Sequence, residues 1–376
     1  MKGTRIYDLA IVGAGAAGLQ LLYEYFQLAE NIDKQVLLID SGDRTKKSWC
    51  FWAEKGHESF PFLIEKSWSQ ITYCSTQGRK QTQEINPQQY HYIPSEHFFN
   101  YFFDQYIPAH SQITVEFGWV KNLTETSENV DIELINGKSF VAERVANSII
   151  EKSINLGEPI LSQHFWGKFI EFDSDVLNSE SVTIMDFSQK QLNPEYALFH
   201  YILPFTSRKA LIETTVFSTQ AYNEPEYEKM WNVYMEENFA GLSYQIIDIE
   251  RGTIPMKQIK PSSARGRVIP IGTSAGNVKP STGYAFTRMH RDAIELVNKQ
   301  KKTKKARYSF YDSILLNMIQ KENQVIPKVM DRLFSKMKFA NILRFLDEKT
   351  NIGEELKLFS QLQIPLFLKH LLTRNR

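Results

Sequence analysis

Cysteine is scarce in this chain: Cys50 and Cys74 are the two thiols in 376 residues. They share no metal-ligand spacing, so neither a disulfide framework nor a thiolate metal site is expected, and a reducing, cytoplasmic setting is the default. The 8 histidines are scattered without an H-x-x-x-H or H-E-x-x-H pattern, which again points to no metal. No apolar run reaches the roughly 18 residues needed to cross a bilayer. No leader of charged, apolar and small residues precedes the first apolar run, and there is no internal repeat or low-complexity tract. An excess of either charge is also missing, with 44 Lys+Arg against 43 Asp+Glu and a net charge of +1. No global field therefore gathers nucleic acid or an acidic substrate, and any charged contact must be local.

What is present suits a folded enzyme of two or more intertwined domains: 42% hydrophobic residues and 13% aromatic ones, enough for a substantial core. The organising stretch is Ile11-Val12-Gly13-Ala14-Gly15-Ala16-Ala17-Gly18, a G-x-G-x-x-G sequence. It follows an apolar run from Ile6 to Val12 and opens an apolar-periodic segment from Leu19 to Leu28, which reads as strand, tight turn and helix. Gly13 permits the turn, Gly15 has no Cβ to block a pyrophosphate, and Gly18 lets the helix lie close on the strand. The helix N-terminus then offers free N–H groups to phosphate. Such a turn can be merely structural, but Val36-Leu37-Leu38-Ile39 reads as a second buried parallel strand. It ends in Asp40, about 20 residues on, where a carboxylate can accept the ribose hydroxyls of an adenosine. The pair predicts dinucleotide binding.

Beyond Asp40 lies an aromatic patch, Trp49-Cys50-Phe51-Trp52, with two readings: a core or interface patch, or a wall for a large apolar ligand. Cys50 between aromatics reads as a small buried filler rather than a nucleophile. Short strands are expected between Trp68 and Tyr92, a capped helix from Ser95 to Gln105, and a strand of the nucleotide sheet at Ile113 to Phe117. Asn136-Gly137 joins Val130 to Ile135 with Ser139 to Ala142 as a hairpin, and Val145 to Ile150 returns to the main sheet. Longer strands follow at Phe165 to Phe172, Ser181 to Phe187, Ala197 to Phe205 and Lys209 to Phe217, as an antiparallel sheet forming a lid. In the last of these, alternation puts Lys209, Leu211, Glu213, Thr215 and Phe217 on one face. Glu213 is then a carboxylate among mostly apolar neighbours.

Val268 to Gly272 reads as another nucleotide-sheet strand, followed by the turn-rich Ser274 to Tyr284 and a helix to about Val297. This second helix start suits phosphate or a flavin edge; it also reads as an ordinary capped start with Ser281 or Thr282 as N-cap, and both can hold together. Lys299 to Arg307 is basic, either as a solvated face or as an attachment to anionic lipid. Tyr308 to Arg376 reads as helices, ending in an apolar stretch from Leu358 to Leu372.

The order and spacing of several motifs resemble the flavin-dependent lycopene cyclases. They are the glycine loop, Lys47-Ser48-Trp49-Cys50-Phe51-Trp52 against an R-T-W-C-F-W signature, Ile184-Met185-Asp186-Phe187, Tyr201-Ile202-Leu203-Pro204-Phe205, Leu211-Ile212-Glu213-Thr214-Thr215, Ile254-Pro255-Met256 and Lys279-Pro280-Ser281-Thr282-Gly283-Tyr284. Lys47 and Ser48 replace Arg and Thr of the signature, and Thr273 follows Gly272 where many flavoproteins of this broader fold carry an acid.

The resemblance implies an α/β fold. A Rossmann-like FAD domain (1–155, with a substrate-side insertion at about 60–105, and 250–300) would hold an inserted antiparallel-sheet substrate domain (156–249), and a helical C-terminal region (301–376) would follow. It implies noncovalent FAD, active when reduced, held by Gly13, Gly15, Gly18, Asp40, Gly272, Gly276, Thr282 and Gly283, with NAD(P)H as an electron source. Lycopene or a related linear carotene would be protonated by Glu213, with Asp186 as a second candidate acid, and would close to a β-ionone ring without net redox change. Reduced flavin would act by its charge, and peripheral membrane contact would supply the substrate. A flavin monooxygenase or prenyl-chain reductase on the same fold, and a noncatalytic carotenoid-binding protein, are the competing readings.

Overall fold

The computed structural model describes residues 5–150, 160–190, 196–220, 222–259, 266–300 and 306–361. The fold is α/β. Its nucleotide-side sheet has five strands in the order Val268–Pro270, Val145–Asn147, Leu9–Val12, Val36–Asp40 and Ile113–Phe117, every pair parallel. Buried on both faces, its strands are continuous apolar runs, as in Leu9–Val12 and Val36–Ile39. From Leu9–Val12 the chain crosses through the helix Ala16–Gln27 to Val36–Asp40 on one side, while Val145–Asn147 lies on the other. The order thus reverses beside Leu9–Val12, and ligands of open α/β sheets bind at the carboxyl ends of strands at such a point. The Asn136-Gly137 hairpin forms as expected, inside a separate four-stranded sheet.

The second large sheet has seven strands: Tyr244–Pro255, Ser162–Phe172, Lys209–Ser218, Ala197–Pro204, Ser181–Asp186, Gln70–Cys74 and Lys80–Glu84. All neighbours are antiparallel except Ser181–Asp186 with Gln70–Cys74. Two of its strands come from the segment between Trp68 and Tyr92, and its edge strand continues to Pro255, so the division expected at 249/250 falls within one strand. One face is covered by the helix Glu224–Phe239, which packs Trp231 and Tyr234 against it. The other face looks into a cavity walled by a three-stranded sheet that contains Ser48–Glu54 and by the helices Ala306–Lys321, Ile326–Lys336, Phe339–Leu346 and Ile352–Gln361.

The apolar stripes of those C-terminal helices suit membrane contact when read from sequence. In the structure Leu315, Ile319, Leu333 and Leu343 of the described helices line the cavity. Part of the basic run Lys299 to Arg307, and Leu358 to Leu372 beyond residue 361, lie outside the described residues. Among the described residues no helix is long and apolar enough to cross a membrane.

Candidate active site

The glycine loop sits at the carboxyl end of Leu9–Val12, at the switch point. Gly13 has φ +97°, and a Cβ there would fall 2.0 Å from Ser148 Oγ, whose hydroxyl donates to the Val12 carbonyl at 2.8 Å. A Cβ on Gly18 would fall 1.9 Å from the Gly13 carbonyl oxygen. Both positions therefore need glycine for the protein's own packing. Gly15 differs: it is the N-cap of the helix with ordinary backbone angles, and a Cβ there meets no atom within 4 Å. It faces open space at an uncapped helix N-terminus, where a pyrophosphate fits.

Asp40 turns back onto this loop. Its Oδ2 accepts the Ala14 N–H at 2.7 Å and its Oδ1 the Gly42 N–H at 2.8 Å, so the carboxylate first orders the turn and keeps spare lone pairs for a hydroxyl. Gly272 and Gly276 flank a short turn of helix packed on the start of Ala16–Gln27. Their φ values are +64° and +70°, and a Cβ on Gly272 would lie 2.9 Å from Ala17 Cβ. Thr282 and Gly283 reach the cavity, and the Thr282 hydroxyl is buried with no protein partner. The expected N-cap role of Ser281 or Thr282 does not hold. The helix starts at Phe286 with Ala285 as its N-cap, and Ser281 donates instead to Asp312 at 2.6 Å.

Beyond this loop opens a cavity of about 490 Å³, within the usual range for ligand sites. Strand alternation splits the aromatic patch between its two readings. Cys50 and Trp52 face the cavity, and Trp49 reaches its edge while stacking on Phe286 at 5.5 Å. Phe51 turns into the nucleotide-side core against Phe286 and does not line the cavity, so it is no ligand wall. Burial pushes the Cys50 thiol well above its ordinary range, in keeping with a filler. Tyr90 and Tyr201, from two strands, and Tyr284, from the loop before the Phe286 helix, form a hydroxyl chain with Tyr90 at its centre, 2.8 and 2.9 Å from the other two. All three line the cavity, and burial raises each phenol so that it stays neutral.

Glu213 lies in the cavity wall at 8% exposure, together with Thr215 and Phe217. It belongs to a rung that crosses four strands: Tyr201, Glu213, Gly167 and Glu250 are successive partners. Directly opposed residues share a face, so two glutamates flank a glycine, with their Cα atoms two strand spacings, roughly 10 Å, apart. The glycine is needed, because a Cβ at 167 would come within 2.6 Å of Glu213 Cγ.

Glu250, absent from the sequence-based site, is 5% exposed and also lines the cavity. The Ser48 N–H donates to its Oε1 at 2.7 Å and the Ser48 hydroxyl to its Oε2 at 2.5 Å. Burial raises the Glu213 carboxyl well above its ordinary value, and the neighbouring Glu250 adds to this. Burial raises Glu250 too, but the two Ser48 donors and Lys47 oppose it. Of the pair, Glu213 is the carboxyl that its surroundings favour protonated, and Glu250 the one whose ionised form has hydrogen-bond donors.

Asp186 lies elsewhere. Its rung partners are His200 and then Thr214, on the face opposite Glu213. Its Oδ2 accepts from Tyr234 at 2.8 Å and its Oδ1 from the Ser188 N–H at 2.8 Å. It is 1% exposed, does not line the cavity and ties the helix Glu224–Phe239 to the sheet. The alternative acid is thus separated from the candidate site by the sheet itself.

The fold has counterparts among known proteins. A geranylgeranyl bacteriochlorophyll reductase-like protein from Thermoplasma acidophilum superposes with a TM-score of 0.62, covering 99% of this chain and 100% of that one at 13% identity. HpxO from Klebsiella pneumoniae, complexed with FAD and uric acid, gives 0.57 over 96% of both chains at 12% identity. The flavin-dependent brominase Bmp2 gives 0.57 over 91% of this chain and 93% of its own, also at 12%. These likenesses are of fold. None of the curated proteins matches the sequence. The family model described as "Lycopene cyclase protein" matches residues 8–370, nearly the whole length, and the chain belongs to the lycopene cyclase family.

Proposed function

We propose that this chain is a lycopene β-cyclase, converting lycopene through γ-carotene to β-carotene by acid-catalysed ring closure with Glu213 as the acid. The observation that carries this reading is a buried carboxyl, pushed above its ordinary range by that burial, in the wall of an aromatic-rich cavity. Protonating an alkene takes an acid that keeps its proton at neutral pH and a site from which water, which would trap the cation, is excluded. The faces of Trp49 and Trp52 favour the cation by roughly 0.5 to 2 kcal/mol each. Neutral phenols at Tyr90, Tyr201 and Tyr284 line the same wall.

FAD fits the loop at Gly13, Gly15 and Gly18, with Asp40 beside it and Gly272, Gly276, Thr282 and Gly283 as the second group of contacts; the open space at Gly15 and the unpartnered Thr282 hydroxyl support this. Bound in its reduced form, with NAD(P)H as donor, it supplies electron density that favours positive charge, with no net redox change. A monooxygenase or reductase would consume NAD(P)H in proportion to product, which separates those activities from cyclisation. Lycopene is too apolar to travel through water, so the chain meets it at a membrane, peripherally and from the cytoplasm. Flotation with anionic liposomes checks this, and failure to float at any salt concentration would refute it.

Glu213→Gln tests the acid. It preserves shape and removes the proton, so β-carotene formation should fall by about 10² to 10⁴ or more, with flavin retained. In the parent protein turnover should persist below the raised Glu213 pKa and fail as pH rises through it. Near-normal turnover by the flavin-loaded variant would refute the assignment.

A further inference from the structure

Acid chemistry at Glu213 does not by itself account for the second carboxylate. Burying a charged group is costly unless it is held by hydrogen bonds, and Glu250 is held in that way by both donors of Ser48. It opens onto the same cavity as Glu213, and because Gly167 between them has no side chain the Glu213 side chain lies over that strand, its Cγ 2.6 Å from where a Cβ at 167 would stand. The other groups facing the pair are Cys50, Tyr90, Tyr201 and Tyr284, all neutral, with Lys47 and Asp248 on the Glu250 side.

We propose that Glu250 is the base of the reaction in which Glu213 is the acid: it takes the proton that the ring cation loses, and that proton returns to Glu213 over Gly167, which separates the two strands. The inference rests on the reading of Glu213 given above. The Glu213 O–H bond breaks as the terminal π pair forms a new C–H bond. The adjacent cation is attacked by a second π pair, which closes the ring by a C–C bond. A C–H bond next to the ring cation then breaks, its electron pair becomes the ring double bond, and the proton goes to the Glu250 carboxylate. Glu213 is left ionised and Glu250 protonated, and transfer between them restores the starting state. No oxidant or reductant is consumed.

This assigns the position of the ring double bond to Glu250, since the cation can lose a proton from more than one adjacent carbon. The test is Glu250→Gln in the full chain, loaded with FAD and reduced without air, with lycopene as probe and chromatography of the ring isomers. The expected result is a β-ring yield about 10² to 10⁴ lower, with the remaining product shifted toward isomers whose ring double bond lies elsewhere. Glu250→Asp should recover part of the β-ring yield. A merely structural role would slow the reaction without moving the double bond, so β-ring product alone, at any rate, overturns the proposal.

If Glu250→Gln makes no cyclic product, lycopene recovered from D₂O decides. Deuterium at the terminal alkene carbon shows that Glu213 still protonates and supports the proposal, and its absence overturns it. Normal turnover by Glu213→Gln is a different failure, of the underlying reading, and is visible whatever Glu250→Gln does.

Discussion

Substituting Gly15 by Val separates a ligand contact from a folding requirement within one six-residue loop. A Cβ added at Gly15 would meet no protein atom within 4 Å, and φ −78° with ψ −171° is extended backbone open to any residue. The cost to folding is then only that of an apolar helix N-cap in place of glycine, about 0.5 to 1 kcal/mol. The side chain instead enters the space assigned to the pyrophosphate. Forcing extra carbon atoms into a packed contact costs about 1 to 3 kcal/mol, or about 5- to 150-fold in FAD affinity, with three added carbons at the upper end. Gly18→Ala should behave in the opposite way, because its Cβ would lie 1.9 Å from a backbone carbonyl and 3.2 Å from Ile11 Cγ2. That overlap destabilises the protein with or without flavin.

The assay pairs thermal denaturation of the flavin-free proteins with titration of FAD by flavin fluorescence. Gly15→Val should melt close to the parent and bind FAD weakly, while Gly18→Ala should melt lower. A folded Gly15→Val protein with parental FAD affinity would refute the placement of the cofactor, and a Gly18→Ala protein as stable as the parent would refute the packing argument.

Asp186→Asn should cost about 1 to 3 kcal/mol in stability, through the weakened bonds from Tyr234 and Ser188. It should leave cyclisation near normal in the folded fraction; a large loss of turnover at full stability would return Asp186 to the candidate acids. Lys279 is 3% exposed and lies 3.0 Å from Asp312 and 3.4 Å from Glu348, joining the loop before the Phe286 helix to the C-terminal helices. Lys279→Met leaves the buried Asp312 carboxylate with the Ser281 hydroxyl but without its cation and should cost about 3 to 5 kcal/mol by urea denaturation, and a loss under about 1 kcal/mol would show that the network does not hold that loop. Burial alone would raise Glu348, but Arg288 and Lys279 hold it below the ordinary range. Its contribution is therefore present above the unfolded pKa and is lost as pH falls through the folded one.

What could be read from the sequence was what depends on neighbours along the chain. The turn at Gly13, the run ending in Asp40, the hairpin at Asn136-Gly137 and the alternation that turns Glu213 inward are each local, and each appears in the structure. The second carboxylate was not legible, because Glu213 and Glu250 meet only through the register of two strands on a third. Asp186 could not be assigned a face by counting, since its strand holds one residue more than its partner between Thr183 and Asp186, which reverses the alternation. For the C-terminal helices, periodicity showed an apolar stripe but not what it faces, and in the structure Leu315, Ile319, Leu333 and Leu343 face the cavity. One local signal did point to the missing part. Gly167 lies in the interior of an eleven-residue strand, where glycine costs stability and usually marks a close approach. The side chain that makes the approach is Glu213 itself. With no side chain at 167, Glu213 lies over that strand, and the residue opposite Gly167 on the next strand is Glu250.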